Sequence, residues 1–158
     1  MKWLLILIAI ALVLFVIIRL YAKSGTLQNS FPPGTTSGVT DGQLAPCKTS
    51  PNCISSHSEP TDTLHYADPI TVPTSITEPK QRIIEILSAL PHAVIVEEFD
   101  NYIRAEFTTQ WIRYVDDVEF LIHKEQARID FRSASRVGYS DMGLNRKRIE
   151  EIRTYFKN

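Results

Sequence analysis

The sequence predicts an α+β domain behind an N-terminal transmembrane helix, the domain being an antiparallel four-stranded sheet covered by two helices. Three observations carry this. Residues Trp3 to Ile18 form an unbroken apolar run. Four consecutive segments between residues 93 and 135 are rich in β-branched and aromatic residues, and their connections are too short for crossovers. Apolar stripes at helical spacing flank them on both sides.

Length and charge bound the answer first. At 158 residues the chain fits one membrane element and one domain of roughly 100 residues, enough for a single core. The net charge of -1 hides a split. Residues 24 to 127 hold 6 Lys/Arg against 14 Asp/Glu, while residues 128 to 158 hold 8 against 4. A nucleic-acid binder is usually basic over a whole domain, so no nucleic-acid partner is expected.

The sixteen apolar residues from Trp3 to Ile18 rise about 24 Å as a helix, a little short of the roughly 30 Å hydrocarbon core. Leu20 to Ala22 complete the span, with Arg19 snorkelling to the headgroups. The run is long for a signal peptide, and the Ala22-Lys23-Ser24 cleavage site is crowded by cations. The expectation is therefore an uncut signal anchor over residues 1 to 23, with residues 3 to 22 in the bilayer. Lys2 on one side and Arg19 with Lys23 on the other nearly balance the positive-inside count. Orientation rests instead on residues 24 to 46. Rich in Ser, Thr, Gly, Pro, Asn and Gln, they read as a flexible linker lifting a domain, residues 47 to 158, off the membrane. The expected location is the bacterial inner membrane, single pass, with the domain in the periplasm.

Cys47 and Cys53 are the only cysteines. Five intervening residues with Pro51-Asn52 as a turn allow a small disulfide loop, and an even pair favours an oxidising compartment. A zinc site would need tighter pairs and more ligands, and His57, His65, His92 and His123 are scattered. No metal and no cofactor is expected. A catalytic thiol at Cys53 lacks an identifiable histidine partner.

Residues 57 to 78, with prolines at 60, 69 and 73, read as extended chain. Glu78-Pro79 opens a helix whose apolar face is Ile83, Ile84, Leu87 and Leu90, stopped by Pro91. Ala93 to Phe99, Tyr102 to Thr109, Val115 to His123 and Gln126 to Ser135 follow as strands, each with one apolar and one wet face. Past Gly138, Ile149, Ile152 and Phe156 give a second helix, with Asn145 as its expected N-cap.

The stretch from Phe131 to Glu150 is the most specific in the chain. Strand periodicity puts Arg128, Arg132 and Arg136 on one face, and Ser133 and Ser135 on the other. One reading pairs these arginines across strands with Asp130, Glu106 and Glu119 as exposed ion pairs. The sharper reading is an anion site of Arg132, Ser135, Arg136, Tyr139, Asp141, Asn145 and Arg146, using guanidinium forks and the helix start. Cations in that helix's first turn oppose its dipole unless an anion or Asp141 answers them. Asp117 and Glu119 share a strand face and form a secondary acidic candidate.

Ser50-Pro51-Asn52-Cys53-Ile54-Ser55-Ser56, Asp116-Asp117-Val118-Glu119-Phe120 and the run from Arg132 to Asp141 with Gly143 and Asn145-Arg146 resemble the blocks of a bacterial and plastid family catalogued as domain of unknown function number 1499. The resemblance covers about residues 44 to 155. It implies an exported or membrane-tethered domain and supplies no catalytic residues. The sequence reading is thus a membrane-anchored periplasmic domain that binds a small anionic ligand or an envelope protein. The alternative is an envelope enzyme using the Arg132 to Asn145 region and nearby acids, although no complete nucleophile, base and orienter set can be assembled from spacing.

Overall fold

In the computed structural model, which describes residues 2–23 and 37–157, the apolar run is one helix, α1 (Lys2–Lys23). Its window Lys2–Leu20 has a mean hydropathy of 3.0 and no buried share, so it is long and apolar enough to cross a membrane. Most of the expected linker, residues 24–36, lies outside the described residues. The rest of it does not behave as a linker. Residues 37–46 contain the hairpin strands β1 (Val39–Thr40) and β2 (Gln43–Leu44), and Leu44 is buried against Tyr102 and Leu121.

The main sheet has six strands, not four. β5 (Ala93–Glu98), β6 (Tyr102–Thr108), β7 (Val115–His123) and β8 (Arg128–Ser135) form the expected antiparallel meander. Two short strands then pair with the free side of β8: β3 (Cys53–Ser55) opposite Arg132 to Ala134, and β4 (Ile70–Thr71) opposite Arg128 and Ile129. Strands of two or three residues show no alternation, which is why periodicity passed over them. The last strand also starts later than expected. Lys124–Gln126 is a 3-10 turn, and Ala127 takes a left-handed conformation at φ 49° before β8 begins.

Helices α2 (Pro79–Ala89) and α3 (Leu144–Thr154) cover one face of this sheet. Ile83, Ile86 and Leu87 of α2, with Ile149, Ile152 and Phe156 at α3, close over Ile103, Val118, Phe120, Ile129 and Phe131. Fully burying each such side chain contributes about 1.5–3 kcal/mol, so this layer is the main apolar core. The opposite face, expected to be wet, is mostly buried. It carries Arg104, Asp117, Glu119, Asp130 and Arg132, each under a tenth exposed, and the 37–46 hairpin lies over part of it. Gly38 N donates to Glu119 Oε1 at 2.6 Å and Leu44 N to His57 Nδ1 at 3.0 Å. The Cys47–Cys53 disulfide joins the segment following this hairpin to β3.

Candidate functional site

Strand register brings Arg132, Arg136, Asp117 and Glu119 together on one face of the sheet and Ser135 with Asn145 on the other, but not Tyr139 or Arg146. On the roofed face Arg104, Glu119 and Arg132 sit directly across from one another on β6, β7 and β8. Arg132 Nη1 donates to Glu119 Oε2 at 2.7 Å, while Glu119 Oε1 accepts from Tyr102 Oη at 2.8 Å. One pair further along, Arg136 clamps Asp117 through Nε and Nη2, both at 2.8 Å, and its Nη2 also donates to Glu106. Arg104 joins the group through Asp117 at 2.8 Å and Glu97 at 2.6 Å.

These arginines are therefore not the solvent-facing row that periodicity suggested. Three guanidiniums meet four carboxylates, Asp117 and Glu119 buried and Glu97 and Glu106 partly exposed, and for the buried members each partner's charge is needed by the other. The titration directions agree. Burial pushes the Arg104 and Arg136 guanidiniums down, but hydrogen bonds and charge from Glu97 and Asp117, and from Asp117 and Glu106, outweigh it and leave both above their ordinary value. Burial, then the Glu119 carboxylate, drives the Tyr102 hydroxyl far above its usual range, so it stays a donor. Burial and then the Arg132 charge lower Lys48.

Ser37, Lys48, Asp117, Arg132, Ala134, Ser135 and Arg136 line a space of about 10 Å³, the size of a single water and far too small for a phosphate. Arg132 Nε has no hydrogen-bond partner among the described residues.

On the helix-covered face, α3 inserts polar side chains into the sheet. Asn145, fully buried, accepts from Ser133 Oγ at 2.5 Å and Arg148 Nη1 at 2.8 Å, and donates to Asn52 O and Ser135 Oγ at 3.1 Å each. Arg148 Nη2 reaches Asp116 Oδ2 at 2.7 Å, with the guanidinium 4.5 Å over the Phe107 ring. Asn145 is thus inside the helix rather than its N-cap, a position held by Gly143 at φ 79°. Asp141 does the capping instead: its carboxylate accepts from Gly143 N at 3.0 Å and Asn145 N at 2.8 Å. That answers the dipole mismatch internally. Arg146 donates to the carbonyls of Leu64 and Tyr66, both at 3.0 Å. Of the seven anion-site candidates only Tyr139 stands in solvent, 76 % exposed.

Three features escaped sequence reasoning. Arg104 and Arg148 are members of these networks; the signal for Arg148 was present, since Asn145, Arg148, Ile149 and Ile152 make one helical stripe. A second is the cluster at Asp130, whose carboxylate lies 2.9 Å from His57 Nε2, His123 Nε2 and Arg128 Nη2 and accepts from Ser56 Oγ at 3.0 Å. The serine donates to the acid and accepts from Phe131 N, so no serine–histidine pair forms in this cluster. The third is a cleft of about 350 Å³ between the α2–β5 turn, the end of β6 and the start of α3. Leu90, Pro91, Phe107 and Leu144 give it apolar walls; of its charged lining Arg148 is paired with Asp116, while Lys147 and Glu151 are exposed and in no ion pair among the described residues.

No group of three or more His, Cys, Asp or Glu suited to holding a metal occurs among the described residues. Neither the curated proteins nor the solved structures contain a match to the chain. The family model described as "Protein of unknown function (DUF1499)" matches residues 43–156, which takes in β2 through α3 and every member of both buried networks except Gly38. The chain belongs to the DUF1499 family of proteins of unknown function.

Proposed function

We propose that the chain is a membrane-anchored binding module of the cell envelope, its domain on the periplasmic side, whose ligand is a small anion with an apolar body. The anchor reading is supported by the length and hydropathy of α1, and the oxidising side by the Cys47–Cys53 disulfide. The ligand reading rests on one observation, the 350 Å³ cleft with apolar walls that Lys147, in no ion pair among the described residues, lines together with Arg148 and the single acid Glu151. Clefts of about 300–1,000 Å³ with apolar lining and a few polar groups are the usual form of small-molecule sites. Arg132 and Arg136 do not serve this role, because their charges are already answered by Glu119, Asp117 and Glu106.

Hexyl phosphate is a suitable probe, joining a short apolar tail to a dianion. Titrated into the isotopically labelled full chain in detergent micelles, it should move the amide resonances of Leu90, Thr108 and Leu144. The Lys147→Ala variant should bind it about 10-fold more weakly, the size of one lost charge-assisted contact. Unmoved cleft resonances, or equal affinity in the variant, would rule the reading out.

A further inference from the structure

Apart from α1, five of the eleven exposed large apolar side chains among the described residues lie at one end of the domain, the other six, Phe99 among them, being spread over the rest of the surface. The β6–β7 connection holds Trp111, 67 % exposed, and Tyr114; the β8–α3 connection holds Tyr139 and Met142, the latter 98 % exposed, and leads to Leu144. Register makes these two loops neighbours, because Thr108 pairs with Val115 and Asp116 with Ser135.

Charge is polarised along the same axis. Arg113 and Lys147 are exposed at this end and in no ion pair among the described residues, with Glu151, one turn along α3 from Lys147, the exposed acid nearest to them in the cleft lining. The single acid in the two loops, Asp141, is turned into the α3 cap. At the opposite end Glu78 and Glu98 are matched by Lys124 and Lys80, leaving Asp100 and Glu125 exposed.

From this we infer that the Trp111 and Met142 loops dock on the surface of the membrane that α1 enters, with Arg113 and Lys147 facing anionic lipid headgroups. The inference rests on the anchor reading above. Trp and Tyr favour the headgroup level, where one end of the ring is apolar and the other wet, and a basic residue near an anionic surface adds attraction that salt screens. An independent contact points the same way. Arg19, at the domain-side end of α1, donates through Nη1 to the Trp111 carbonyl at 2.6 Å, so the end of the spanning helix and this loop meet. The 350 Å³ cleft shares Gln110 and Leu144 with these loops and would open toward the headgroup layer.

The chain has two tryptophans, so Trp3→Phe leaves Trp111 as its only one. The full chain carrying this change is reconstituted in nanodiscs of phosphatidylcholine, with or without phosphatidylglycerol. Docking predicts that lipids brominated near the headgroup at least halve Trp111 emission, and that phosphatidylglycerol deepens the quenching. Adding Arg113→Glu and Lys147→Glu should remove the phosphatidylglycerol effect. A chain that stays in the disc while its Trp111 emission ignores brominated lipid would overturn docking and leave the anchor intact. A chain that leaves the disc on alkaline washing would overturn the anchor, and docking with it.

Discussion

Glu119 has no exposed surface, and its charge is held by Arg132, Tyr102 and the Gly38 amide. Removing one partner leaves a buried charge uncompensated, which costs about 3–5 kcal/mol, whereas replacing a buried pair by apolar residues is often near neutral. Arg132→Ala should therefore destabilise the domain by that amount in urea denaturation. The double variant Arg132→Met with Glu119→Leu should recover most of the loss. An exposed pair would have cost less than about 1 kcal/mol. Asp130 supplies a second test at this scale. Burial pushes its carboxyl up, but the hydrogen bonds from His57 and Ser56 and the charges of His57 and Arg128 outweigh this and hold it below the usual carboxylate range. A depressed folded value stabilises the fold above the unfolded value of about 3.9, and the benefit is lost as pH falls through the folded value. Melting temperature should consequently drop below about pH 4, and Asp130→Asn should flatten that part of the curve.

Among the elements, the Cys47–Cys53 bridge has the clearest consequence. It fastens the segment after the β1–β2 hairpin to β3, and a loop this short contributes about 2 kcal/mol on chain entropy. The Cys47→Ser, Cys53→Ser double variant should melt roughly 10 °C lower, and neither cysteine of the wild type should alkylate without reductant. In α3 the weight falls on Asn145: Asn145→Ala takes from Ser135 Oγ its Asn145 partner and removes one of two hydrogen bonds at Asn52 O and at Ser133 Oγ, which keep Ser135 N and Arg148 Nη1, a loss of about 3 kcal/mol in denaturant unfolding. The meander and both covering helices were legible because β5 to β8 alternate over six to nine residues and Ile83, Leu87, Ile149 and Ile152 repeat at helical spacing. β3 and β4 were not, being too short to carry a period. The candidate site was legible as a set of residues that meet, since strand parity puts Arg132 and Glu119 on one face. Its burial was not, because the cover is a hairpin from a stretch whose Ser, Thr and Gly composition reads as linker.

At the scale of the whole molecule, the polar residues that give this sequence its character pair with one another on the two faces of the sheet, and the proposed binding falls to the end of the domain where Trp111, Met142 and the cleft lie. Stability and binding should therefore separate by position. Lys147→Ala should melt like the wild type, as exposed charges outside ion pairs change stability by less than about 0.5 kcal/mol, while weakening hexyl phosphate binding. The arginine clamp is the sharper test. Arg136 holds Asp117 with two hydrogen bonds and contacts Glu106 as well. Differential scanning calorimetry of Arg136→Ala against the wild type should show a fall of more than about 10 °C in melting temperature, as expected for a loss of 3–5 kcal/mol in a domain of this size. A variant that melts within about 2 °C of the wild type but loses anion binding would contradict this, and would return the function to the arginines.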